Sequence, residues 1–170
     1  MDANELRALQ APLKGRYKTD PGAALVTLTA KGSIDDQAIA CKLETGRAMA
    51  MAGLHPATGG SGLELCSGDM LLEALVACAG VTLKAVATAI EVPLRSARVL
   101  AEGDLDFRGT LGVDKAAPVG FQAIRLSFEI DTDAAPDKID QLVKLTERYC
   151  VVFQTLAKKP ELSVAVRTGG

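Results

Sequence analysis

Residues 66–90, CSGDMLLEALVACAGVTLKAVATAI, form one long, mostly apolar run with Cys78 near its middle. Read as a helix turning about 100° per residue, Glu73, Lys84 and Glu91 fall within about 20° of one another. They make one narrow charged stripe, and the remaining circumference is apolar, so this helix needs cover on most sides. Cys78 lies about 140° from Glu73, one turn before Thr82, and so points to the covered side. A buried free cysteine is by default a small hydrophobe filling space. Gly80 argues for more, because glycine costs about 1 kcal/mol against alanine inside a helix. A partner backbone or a ligand is expected to approach there.

The whole chain of 170 residues, 48% hydrophobic and 24% charged, suffices for one domain with a real core, and residues 1–170 are read as a single domain. A net charge of −2 leaves no basic stripe to gather a polyanion, which excludes nucleic acid as a partner. The opening MDANELRALQAPLKG carries Asp2, Glu5 and Arg7 where a signal peptide needs an apolar core, and Glu73 and Lys84 interrupt the long run. A cytoplasmic protein with no membrane span is expected. Cys41, Cys66, Cys78 and Cys150 are widely spaced with no C-x-x-C pair, and His55 is the only histidine, so neither metal nor cofactor is expected.

Working outward from the helix, ALVTLTAKG, QAIACKLET and GRAMAMAGL alternate as strands of an antiparallel meander, with Cys41 a strand core residue. HPATGGSGLELCSGD is a glycine-rich loop that delivers the chain to the helix. Beyond the helix, PLRSARVLAEGDLDFRG and FQAIRLSFEIDT read as two further strands. A helix from Pro136 to about Tyr149, a short helix VVFQTLAK and a last strand ELSVAVR complete the chain. The order predicts an α+β fold without a parallel-sheet signature. In the later helix Ile139, Leu142, Val143 and Thr146 form an inward stripe that Cys150 extends at about 20°. Two thiols thus face inward from different segments.

GDMLLEALVACAG resembles the start of the central helix in the OsmC/Ohr family, where an acidic residue opens an apolar helix that carries a cysteine, and ERYCVVFQTL resembles that family's second cysteine segment. The resemblance covers most of the chain. It implies an OsmC-like fold in an intertwined homodimer with central helices back to back. It also implies a thiol peroxidase that takes organic hydroperoxides as substrate and a dithiol as reductant. Cys78 matches the peroxidatic cysteine and Cys150 the resolving one. Asp69 stands where the family has a glutamate in an NPEEL-like turn, and CVVF replaces a CPVS-like motif. Nine positions separate Asp69 from Cys78, so Asp69 reaches the thiol only if it precedes the regular helix; otherwise it or Ser67 is an N-cap. Arg47 matches the activating arginine of one branch, and Arg16 the placement in another. His55, Thr82 and Tyr149 are candidate pocket residues, His55 otherwise being a hydrogen-bonded loop residue. Cys66 near the helix start is a second nucleophile candidate. The alternative is a non-catalytic homodimer of the same fold that binds a small molecule or serves a structural role.

Overall fold

A computed structural model describes residues 2–5, 7, 8, 10, 11, 19, 31–34, 40–44, 49–112 and 114–168. The apolar run of residues 66–90 folds as one helix, α1, Ser67–Ala89. Leucine, alanine, methionine and lysine favour this state, and Asp69 in the first turn suits the positive end of the helix dipole. The N-cap is Cys66, which makes no side-chain cap bond, so neither Ser67 nor Asp69 has that role. The helix ends where Glu91 turns left-handed at φ 59°, held by an ion pair to Arg7 at 2.9 Å.

Ahead of α1 lie β1 (Lys31–Ile34), β2 (Ala40–Glu44) and β3 (Met49–Gly53), each antiparallel to the next, as the alternating sequence predicts. The rest of the first expected strand, residues 24–30, lies outside the described residues. The glycine-rich loop adds β4, Leu65–Cys66, which pairs with β3 in parallel through Ala52↔Leu65 and Gly53↔Cys66. This short parallel bridge adds to the antiparallel N-terminal strands that the sequence predicts, and at two residues it is too brief to leave a periodic pattern. After α1, β5 (Ser96–Asp104) and β6 (Ala123–Asp131) pair antiparallel along their whole length, from Ser96↔Asp131 to Asp104↔Ala123. A one-turn helix α2, Phe107–Thr110, lies between them and is absent from the sequence expectation. Helix α3, Pro136–Tyr149, opens on a proline at its first turn, where the missing N–H costs nothing. Helix α4, Val151–Ala157, follows after a break of one residue, Cys150.

These elements meet on the inner face of α1. Leu83, Val86, Ala87, Val92 and Leu142 form one buried cluster, with Phe128 and Ile130 of β6 against it. Leu75, Ala79 and Cys150 form a second, closed by Val99, Ala101, Ile124, Leu126, Val152 and Phe153. Alternation along β6 turns Ile124, Leu126, Phe128 and Ile130 inward while their neighbours face outward. Within this chain a Cβ at Gly80 would meet only Val99 Cγ2 at 3.7 Å, an ordinary contact, so the described residues of the same chain do not supply the close approach expected there. The expected last strand is also corrected. Residues 161–168 carry no regular structure, and Val164 is 93% exposed. Its strand-like alternation remains, yet within this chain it pairs with no strand among the described residues.

Candidate active site

The α3 stripe puts Leu142 and Thr146 in the core, and the chain breaks at Cys150, which is 0% exposed. Cys78 faces it from α1 within the same cluster and is only partly buried. The structure therefore brings the two sulfurs together at the bend between α3 and α4. Cys150 closes α3 through its N–H to the Thr146 carbonyl at 2.9 Å and opens α4 by accepting from the Gln154 N–H at 2.9 Å.

The electrostatics of the pair are unequal. Burial pushes the Cys78 thiol up, but hydrogen bonds from the Val152 N–H, the Cys150 thiol, the Val151 N–H and the Thr82 hydroxyl outweigh it, leaving Cys78 below its ordinary pKa. Burial pushes Cys150 up as well; the Phe153 N–H opposes this, and donation to Cys78 reinforces it, so Cys150 keeps its proton longer. Donation explains the split: a proton on Cys150 stabilises charge on Cys78, and charge on Cys78 holds that proton in place. Thr82 also donates to the Cys78 carbonyl at 2.8 Å. Its single proton serves one acceptor at a time, the Cys78 carbonyl or the Cys78 sulfur.

Other residues singled out by sequence lie elsewhere. Asp69 is the third residue of the regular helix, which puts it about 180° around and about 13 Å along α1 from Cys78. It is exposed and does not join the sulfurs. His55 caps a short helical turn, its Nδ1 accepting from the Ala57 N–H at 3.0 Å, and its ring stacks on Phe107 with centroids 4.9 Å apart. With Cys66, Asp69 and Phe121 it lines a separate hollow of about 370 Å³ at the start of α1. His55 is thus a loop-ordering residue away from the pair. Tyr149 is 59% exposed, beside Arg148, and turns from the site because the last turn of α3 sends Cys150 inward and its predecessor outward. Arg47 and Arg16 lie outside the described residues. Cys41 sits in β2 opposite Ala52.

Sequence reasoning missed the N–H groups of Val151 and Val152, whose direction depends on where one helix stops and the next begins. It also missed an apolar cleft of about 560 Å³ between α1, β6 and α4, lined by Leu71, Leu75, Phe121, Ile124, Phe153 and Leu156 among others. Leu75, Ile124 and Phe153 of that cleft belong also to the cluster that holds the sulfurs.

Residues 60–165 match a family model described as OsmC-like protein. No curated protein matches the chain. Among solved structures, an OsmC-like protein of Mycoplasma pneumoniae is similar at TM-score 0.65 and 16% identity, over 79% of this chain and 89% of that one. An organic hydroperoxide resistance protein of Legionella pneumophila is similar at TM-score 0.60 and 16% identity, over 78% and 91% of the two chains. The organic hydroperoxide resistance protein OhrB of Bacillus subtilis has TM-score 0.52 and 18% identity, over 78% and 93%. At such identities the likeness is one of fold.

Proposed function

The chain belongs to the OsmC-like protein family, and we propose that it is a thiol-dependent peroxidase that reduces organic hydroperoxides through Cys78 and Cys150. The observation that carries this reading is the inequality of the two sulfurs. Cys78 is partly exposed with a lowered pKa, whereas Cys150 is wholly buried and keeps its proton. A nucleophile must be ionised and reachable; a resolving thiol must be adjacent and held in reserve. The names of the Legionella and Bacillus proteins suit the substrate class.

In the proposed reaction the Cys78 thiolate attacks one peroxide oxygen and the O–O bond breaks. Sulfur is oxidised to a sulfenic acid, and the departing alkoxide takes the Cys150 proton to become an alcohol. The Cys150 thiolate then attacks the sulfenic sulfur, forming a disulfide and expelling hydroxide, which leaves as water with a proton from solvent. An external dithiol reduces the disulfide by exchange and is itself oxidised to a disulfide. Such turnover fits a reducing, cytoplasmic setting.

We further propose that the working unit is a homodimer. Val81 on α1 is 72% exposed and Leu162, Val164 and Val166 stand out from the C-terminal segment, an apolar surface that a second copy would cover.

The test is hydroperoxide consumption by the purified protein with a dithiol reductant. Cumene hydroperoxide loss above background that disappears in Cys78→Ser supports the reading, and equal rates for both proteins overturn it. The second reading, a binding protein without turnover, is favoured by the apolar cleft alone.

A further inference from the structure

We propose that His55 is a proton-operated latch on the loop that leads into α1. As the neutral ring it fastens the Pro56–Thr58 turn; as the imidazolium it lets the turn go while it stays stacked on Phe107. The latch is independent of the peroxidase reading, since it involves neither Cys78 nor Cys150.

Four hydrogen bonds of the turn end on His55. Its carbonyl accepts from the Thr58 N–H at 2.8 Å, the Thr58 hydroxyl at 2.9 Å and the Gly60 N–H at 3.1 Å. Its Nδ1 accepts from the Ala57 N–H at 3.0 Å and so caps the turn. The turn closes tightly, for a Cβ at Gly60 would lie 1.7 Å from the Leu54 carbonyl oxygen. The His55 ring also lies on Phe107 of α2, with centroids 4.9 Å apart and planes 16° apart. One side chain thus ties the loop before α1 to the connection between β5 and β6.

Protonation acts in opposite senses on the two ring contacts. A neutral ring accepts through Nδ1 only when its proton is on Nε2, whereas an imidazolium carries a proton on each nitrogen and has no acceptor left. The cap bond is therefore lost. The stack is kept, because an aromatic face attracts a cation. Charges around the ring also favour the imidazolium. Asp69 of α1 and Asp104 of β5 line the same hollow as His55, together with the uncharged thiol of Cys66. Asp104 is paired with Arg125, and on α2 Asp106 is paired with Arg108. On the loop itself Glu64 accepts from the Ser61 hydroxyl. Asp69 has no ion pair among the described residues, and its carboxylate is left to balance a charged His55. Histidine is the side chain that ordinarily changes charge between pH 5 and 8, with carboxylates titrating below that range and thiols above it. The cap is accordingly in place at pH 7.5 and weakens as pH falls through the range.

Amide hydrogen exchange of the reduced full chain at pH 5 and pH 7.5, each taken relative to the unstructured rate at the same pH, tests the latch. In the wild type the protection of Ala57 should fall about three- to tenfold at pH 5, the effect of losing one hydrogen bond. His55→Asn keeps an N-cap acceptor and takes up no proton, so its Ala57 protection should be equal at the two pH values. Wild-type protection that stays constant, or His55→Asn protection that falls as far, overturns the proposal. Two measurements on the wild type need no variant. Ring ¹⁵N shifts at pH 7.5 should place the proton on Nε2, and a proton on Nδ1 refutes the cap. Contacts between the His55 and Phe107 rings, read as nuclear Overhauser effects, should persist at pH 5; their loss refutes the stacked imidazolium.

Discussion

Cys78 and Cys150 pack together where α1 meets the α3–α4 bend, and a Cys78 thiolate there takes the Cys150 thiol as donor, which lowers the pKa of Cys78 and raises that of Cys150. This relationship separates the partners without reference to any other protein. In the native reduced protein, limited iodoacetamide should label Cys78 and spare Cys150, read by peptide mass mapping. Preferential labelling of Cys150 would contradict both the burial and the donor direction.

The same bond makes a distinction between two substitutions. Cys150→Ser replaces one donor by another, whereas Cys150→Ala removes it, so Cys150→Ala should raise the pKa of Cys78 more, seen as a later inflection in its alkylation profile. Under stoichiometric cumene hydroperoxide the wild type should lose two hydrogens and give a Cys78–Cys150 cross-linked peptide. Either variant should instead accumulate sulfinic acid on Cys78. A cross-link between Cys41 and Cys66 would remove Cys150 from the resolving role.

Stability should also depend on pH through this pair. Cys78 has a lowered native pKa, so its contribution appears as pH rises from that value toward the ordinary thiol range, where the unfolded chain still binds the proton that the native state has released. Cys150 has a raised native pKa and acts in the opposite sense: above the ordinary thiol range the unfolded chain releases a proton that the native state retains, and stability falls. Urea midpoints of the reduced protein, measured against the Cys78→Ser, Cys150→Ser double variant, should therefore rise and then fall. A constant difference between the two proteins would show that neither thiol is shifted on folding.

Two glycines predict opposite effects on stability. An added Cβ at Gly80 meets only Val99 at 3.7 Å, so Gly80→Ala should stabilise α1 by about 0.5–1 kcal/mol. At Gly103 in β5 the same atom would lie 2.4 Å and 2.6 Å from two atoms of the Phe121 ring, so Gly103→Ala should cost about 1–3 kcal/mol. Thermal unfolding of the two variants checks the sign of each.

Much of this architecture is legible in the sequence where periodicity is strong. The α3 stripe of Ile139, Leu142, Val143, Thr146 and Cys150 faces inward, and α1 covers nearly the whole apolar run. Helical phase alone therefore indicates that both thiols point into the core. What periodicity does not carry is the break at Cys150, a single residue that turns two main-chain N–H groups toward Cys78. Asp69 fails for a related reason, since its side of the helix depends on where the first turn begins, and α1 starts two residues before it. Tyr149 and Cys150 are neighbours in sequence but opposites in exposure, because the rotation of about 100° from one residue to the next carries the chain from surface to core. The strand-like ELSVAVR shows a further limit, for a pattern that marks one buried face does not say which chain buries it.

That segment and α1 together carry the assembly prediction. Val81 is 72% exposed on a helix whose opposite face, at Leu75, Ala79 and Leu83, is fully packed, and Leu162, Val164 and Val166 project from a segment with no regular structure. Burial of apolar area yields about 25 cal/mol per Å², so covering these side chains with a second copy is strongly favourable, whereas no described element of the same chain lies over them. Sedimentation of the reduced protein at micromolar concentration should give twice the chain mass of 17.7 kDa. Val81→Glu sets a charge on the exposed face without touching the core, so it should shift the protein toward monomer while the Cys78 and Cys150 cluster stays folded. A wild type that sediments as monomer rules out the dimer, and a Val81→Glu protein that remains dimeric moves the interface away from α1.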